Sequence, residues 1–220
     1  METRSIATTS HSQPTRPHKP HTSLFTFFQI IYYFTITDFV TFIVPNTAFG
    51  IMGALATSSL VDGDPNASFS HVLSNLPRVI LYNWSNTLLF NMSNQRDSES
   101  IAEDRINKPW RPIASGKITG QQTQRMLLLA VPLSLALNHY LNVWDQGVWI
   151  HLITWLYNDL RGSEEIVIRD FLIAASYAAF NGGSLKIAAG CHPSHTSCDI
   201  NMSGHMWTAW TLESCCAYTA

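Results

Sequence analysis

Long segments free of charge constrain this 220-residue chain more than any other feature. No Asp, Glu, Lys or Arg occurs from Phe39 to Val61 or from Met126 to Trp144. Shorter runs of the same kind cover Val79 to Gln95, Gln146 to Asn158, and Phe171 to Ala189, the last interrupted only by Lys186. A helix that crosses the hydrocarbon layer needs about 20 mostly apolar residues. None of these segments alternates polar and apolar residues as a half-buried strand does. Pro45, Gly50, Gly53, Pro132, Gly182 and Gly183 are interruptions that membrane helices tolerate. The segments predict an all-α, multi-span transmembrane helical bundle with about five spans and a sixth begun near Trp207. A soluble all-α domain with buried helices is the alternative, since the mean hydropathy is only +0.04.

The placement of charge favours the membrane. Arg4, Arg16 and Lys19 precede the first span, Asp62 and Asp64 follow it, and six of the 13 Lys and Arg residues fall between Arg96 and Arg125, after the second. That alternation follows the positive-inside rule, with the amino terminus and the 94–122 loop cytoplasmic and the 62–70 loop on the far side. The 159–170 loop is then cytoplasmic and the 190–205 loop is not. Residues 1–23, rich in Ser, Thr, His and Pro, form no apolar signal segment and read as a disordered cytoplasmic tail. From Leu24 to Ala56 the apolar pattern would extend about 50 Å as one straight helix, too long for a single crossing. Asp38 and Pro45 divide it into a lead-in helix at 24–37 and a first crossing at 38–58. Asp38 is either a helix cap or a functional intramembrane carboxylate. With a formal net charge of -2 there is no global basic field, so nucleic acid is not an expected partner.

Chemistry concentrates in the loop from Asn94 to Lys117. Carboxylates there are hard oxygen donors suited to Mg²⁺, which binds phosphates through one or two of them, and Arg and Lys take the remaining phosphate oxygens. On a helix, Asp97 and Asp104 project about 20° apart, with Asn94 about 60° away. They are about 10 Å apart along the axis, too far to share one ion. Two ions, a bent helix, or a solvated loop with incidental charges all satisfy the spacing.

The run Asn107-Lys108-Pro109-Trp110-Arg111-Pro112-Ile113-Ala114-Ser115-Gly116 closes a motif that resembles the first Asp-rich motif of the UbiA superfamily of intramembrane prenyltransferases. Thr35 to Phe42 with Pro45, Phe49 and Gly50, and Trp155 to Leu160, are similar to a fungal branch that includes a membrane-bound sesquiterpene cyclase. The resemblance runs from about Leu24 to about Trp207. It implies an integral, multi-pass protein of the endoplasmic reticulum, embedded in the lipid bilayer, serving fungal secondary metabolism. Its activity would be prenyl transfer, or class I terpene cyclisation, from a prenyl diphosphate with Mg²⁺. Farnesyl diphosphate is the expected substrate. Asn94, Asp97 and Asp104 would hold the metal, and Arg105, Lys108, Arg111 and Lys117 the diphosphate. Asn158 and Asp159 form a candidate second-loop pair, and Trp155 and Tyr157 beside them could stabilise a carbocation.

The chain departs from the family pattern in two places. Ser100 stands where the middle Asp is expected, and Arg96 where the leading Asn is, unless Asn94 serves through a shifted helix start. No second motif of the form D-x-x-D-x-x-G-D occurs. The expectation is a UbiA-like domain over 24–210 that is incomplete, followed by an aberrant tail at 211–220. The competing reading is a truncated, catalytically inactive or interaction-only membrane protein. Cys191, His192, His195 and Cys198 have the ligand types for zinc, but no closed spacing supports a site.

Overall fold

The computed structural model describes residues 24–60 and 69–190, with side chains described over 24–56 and 69–190. The tail at 1–23, most of the 62–70 loop, the Cys and His segment, the sixth span and the 211–220 tail lie outside the described residues. Among the described residues every regular element is helical: α1 Leu24–Asp38, a π-helical turn Phe39–Ile43, α2 Val44–Leu60, α3 Phe69–Ser74, α4 Leu76–Asn94, α5 Ser98–Asn107, α6 Gly120–Tyr140, α7 Trp144–Asn158 and α8 Ile166–Ala188.

The charge-free segments become the long helices, and local signals fix their ends. Thr119 and Gln122 form a reciprocal capping box at the start of α6, with the Thr119 hydroxyl accepting from the Gln122 amide at 3.2 Å and the Gln122 side chain accepting from the Thr119 amide at 2.9 Å. The expected division at Asp38 and Pro45 is present as the π-turn rather than as a gap between two helices. Pro45 lacks an N–H and its ring crowds the preceding turn, and one wider turn relieves that crowding without stopping the helix. The short α3 was not signalled by periodicity, because six residues are too few to show one.

α4 is central and touches α1, α2, α6, α7 and α8, while α8 lies against α2 and α7. Beside two apolar clusters, the interior buries hydrogen-bonded polar side chains. Asn83 donates to Thr47 at 3.0 Å and to Ser184 at 2.9 Å. Asn86 and Asn138 exchange amide hydrogen bonds at 3.1 and 3.0 Å, and Ser134 adds a third bond at 3.3 Å. Other large apolar side chains face outward, among them Leu128, Leu129, Leu133, Trp149, Val167 and Phe171. Leu24–Ala56 is, among the described residues, the helical run long and apolar enough to cross a membrane. α4 falls short in composition because it spends Asn83, Asn86 and Asn91 on the interior, and α7 in length, with 15 residues.

Two adjacent glycines in α8 have opposite surroundings. A Cβ at Gly183 would collide with the Tyr82 ring and hydroxyl, whereas a Cβ at Gly182 meets nothing within 4 Å. Tyr82 is fully buried and donates to the Ala179 carbonyl at 3.0 Å, so it has no free direction in which to yield. Gly183→Ala is therefore expected to cost about 1–3 kcal/mol through overpacking. Gly182→Ala should gain roughly 0.5–1 kcal/mol from helix propensity. Thermal unfolding of the two variants in one detergent checks the opposite signs.

Candidate functional site at the charged end of the bundle

The chain leaves α4 at Asn94, forms α5, and returns through residues 108–119 to α6. The returning loop is anchored by Ile113 and Ile118, which are buried against Ile30, Phe34, Met92 and Leu127. Within it the Arg111 amide donates to the Lys108 carbonyl at 3.0 Å and the Ser115 amide to the Arg111 carbonyl at 2.9 Å. Gly116 takes φ 73°, where a side chain would be strained. This folded turn brings Arg111 back over α5.

Asp104 and Arg111, expected as metal and diphosphate ligands respectively, hold one another. Arg111 Nη1 donates to both Asp104 oxygens at 2.9 Å, and each side chain is only 8% exposed. Asp97 is the N-cap of α5: its Oδ2 accepts from the amides of Glu99 at 2.9 Å and Ser100 at 3.3 Å. Asp97 thus precedes α5, and Asp104 lies in its last turn. Asn94 is half-buried at the end of α4, and its side chain has no hydrogen bond among the described residues. Arg105 is exposed, Lys108 half-buried, and Lys117 exposed with its Nζ 3.6 Å from the Tyr33 ring centre.

The second loop does reach the first. Asp159, at the end of α7, forms an ion pair with Arg96, which also donates to Gln124. Asn158 instead donates to the Thr154 carbonyl at 2.8 Å, inside its own helix. Motif comparison treated Arg96 as an intruder at an Asn position. Its role, tying α4 to the starts and ends of α6 and α7, has no signal in spacing because the partner is 63 residues away.

Cavities open between the helices. A groove of about 800 Å³ between α1, α4 and α6 is lined by apolar side chains including Tyr32, Leu88, Met92, Met126 and Leu129. A second, of about 350 Å³ between α4, α6 and α7, has Arg96, Asp159 and His151 in its wall beside Leu89, Leu128 and Trp155. A third, of about 220 Å³, contains Asp38 and Tyr157. The two aromatic residues nominated beside Asn158 thus enter different cavities.

Three of the buried polar atoms without partners lie at this end of the bundle: Gln95 Oε1, Arg96 Nε and Arg111 Nε. Asp97 Oδ1 and the Asn94 side chain, which are not buried, carry the oxygen and N–H groups that remain uncommitted at the surface. That is donor chemistry a Mg²⁺ diphosphate fits. No group of three or more His, Cys, Asp or Glu suited to a metal occurs among the described residues. Mg²⁺ does not need one, because it keeps waters and takes phosphate oxygens alongside one or two carboxylates. Gln95, buried to 1% exposure, was not singled out from the sequence, where it reads as an ordinary helix end. The chain matches no protein-family model, no curated protein and no solved structure. The family resemblance thus rests on the motif residues themselves.

Proposed function

We propose that this chain is a multi-span membrane protein of the UbiA type that binds a prenyl diphosphate with Mg²⁺, farnesyl diphosphate being the expected ligand, and acts on it by prenyl transfer or cyclisation. One observation carries the reading: the 800 Å³ apolar groove shares a packed apolar cluster with the loop that holds the charges. Leu88, Met92, Met126 and Ala130 of the groove belong to the same packed cluster as Ile101 of α5 and Ile113 and Ile118 of the loop. Lys117 sits on Tyr33, next to the groove residue Tyr32. A prenyl chain in that groove gains about 0.8 kcal/mol per buried methylene, and its diphosphate would meet Lys108 and Lys117, with Arg111 reached only when its buried pair with Asp104 opens. Arg105 contributes from the exposed rim. Asn94 and Asp97 would hold Mg²⁺, with Asp104 available only by exchange with Arg111. Bound Mg²⁺ would supply charge shielding for the leaving diphosphate. The buried Asn, Ser and Thr hydrogen bonds and the exposed apolar side chains support a setting in the bilayer, where such bonds help helices associate.

Equilibrium binding of labelled farnesyl diphosphate to the detergent-solubilised chain tests this. Binding should require Mg²⁺, fall about tenfold or more in Lys108→Ala/Lys117→Ala, and be blocked by Leu129→Trp, which fills the groove. Binding indifferent to both changes would defeat the assignment. For topology, cysteine labels at Ser115 and Ser68 in sealed microsomes should react from opposite faces. A second reading, binding without turnover by these residues alone, is favoured by the capture of both Asp104 oxygens by Arg111.

A further inference from the structure

The smallest of the three cavities has a composition that neither the charged loop nor the apolar groove shares. It lies between the π-turn, α4, α7 and α8, and five aromatic rings wall it: Phe42, Phe90, Tyr157, Tyr177 and Phe180. The rings contact one another, Phe42 with Tyr177 at 5.0 Å, Phe42 with Phe180 at 4.8 Å edge to face, and Phe90 with Tyr157 at 5.4 Å between centroids. Into this box the end of α1 places a carboxylate. Asp38 Oδ2 accepts from the Asn91 side chain at 2.7 Å, which fixes its position and leaves its charge uncompensated. The ion pairs among the described residues are Arg96–Asp159, Arg111–Asp104, Arg161–Glu164 and Arg169–Asp170, so no cationic side chain answers Asp38.

A second polar group in the same wall is unsatisfied. Thr87 is 3% exposed, lines the cavity, and its hydroxyl has no hydrogen-bond partner. Helical threonines ordinarily return that hydroxyl to a carbonyl one turn back, as Thr35, Thr41 and Thr123 do here. Thr87 does not. A carboxylate without a counterion, a free hydroxyl oxygen and a set of ring faces together describe a receptor for a cation that carries alkyl groups. Ring quadrupoles attract cations, and aromatic cages recognise substituted ammonium ions by this means.

We propose that this cavity is a binding site for a small alkylammonium cation, its charge met by Asp38 and its alkyl groups by the aromatic rings. At 220 Å³ and about 30 Å³ per water, the cavity has room for about seven waters, which suits a cation of choline size. The site does not depend on the prenyl diphosphate reading, because none of its residues belongs to the charged loop. The cation could be a free amine or the headgroup of a lipid.

The test is calorimetric titration of the full chain in maltoside micelles, which contain no choline. Choline and tetramethylammonium should bind saturably, and 3,3-dimethylbutan-1-ol, the uncharged isostere of choline, about tenfold or more weakly. Asp38→Asn should abolish that preference for charge. Phe42→Leu should weaken choline several-fold and leave the neutral isostere unchanged, and it decides the matter if loss of the Asn91 contact prevents Asp38→Asn from folding. Phosphocholine binding tighter than choline would identify a lipid headgroup as the source, and the reverse order a free amine; both uphold the ammonium site. Equal affinity for choline and its neutral isostere, choline binding unaltered by Phe42→Leu, or no saturable binding of either cation would overturn it.

Discussion

Arg111→Ala is expected to destabilise the bundle by about 3–5 kcal/mol, the cost of leaving a buried charge without its partner. Asp104 has both oxygens on one guanidinium nitrogen, and neither side chain reaches solvent to any extent. Removing the arginine leaves a carboxylate enclosed by the loop that Ile113 and Ile118 pin to α1 and α4. Asp104→Ala should cost a similar amount for the converse reason. The double variant Asp104→Leu/Arg111→Met should recover most of the loss, since replacing a buried pair by apolar groups of like volume is often neutral or better. Thermal unfolding of the wild type, the two single variants and the double variant checks this order. Arg161→Ala provides the contrast: its pair with Glu164 at 3.2 Å is about half exposed on both sides, and such pairs contribute about 0–1 kcal/mol. An Arg111→Ala protein as stable as the Arg161→Ala protein would show that the pair has no structural role and is free to serve a ligand.

The same pair marks the boundary of what the sequence discloses. Charge-free runs mark α4, α6, α7 and α8 with ends that differ by up to six residues, because exclusion of charge is a property of a segment by itself. The pairing of Asp104 with Arg111 depends on where α5 stops and how the Lys108-Pro109 turn folds back, which no linear spacing contains. Read along a helix, the two residues look like separate ligands for separate charges; folded, they satisfy each other. Arg96 and Asp159 repeat the lesson across 63 residues. Asp97 illustrates the opposite case, a carboxylate whose capping role is local and follows from its place just before α5. The aromatic box needed four elements to come together, so Tyr157 could be nominated from its neighbours but Asp38, Thr87 and Tyr177 could not be joined to it.

Microsomes carrying this 220-residue chain are expected to release no diphosphate or terpene from farnesyl diphosphate and Mg²⁺ above the background of empty microsomes, even where binding is measurable. Ionising an allylic diphosphate develops negative charge on the leaving group, and preorganised cations there supply the largest single share of the stabilisation. On the prenyl-diphosphate reading proposed above, these residues offer one acidic motif, with Ser100 at its middle position. Of its remaining carboxylates, Asp97 spends one oxygen capping α5 and Asp104 spends both on Arg111. Freeing Asp104 for a metal would first require separating the buried pair, a cost that falls on the same binding energy needed to reach the transition state. Loss of one preorganised electrostatic contact lowers turnover by about 100-fold to 1,000-fold, and neither Asp97 nor Asp104 is fully free to supply one. Turnover by the 220-residue chain that is abolished by Asp104→Ala would mean that the pair opens on substrate binding and that the single loop is sufficient for the chemistry.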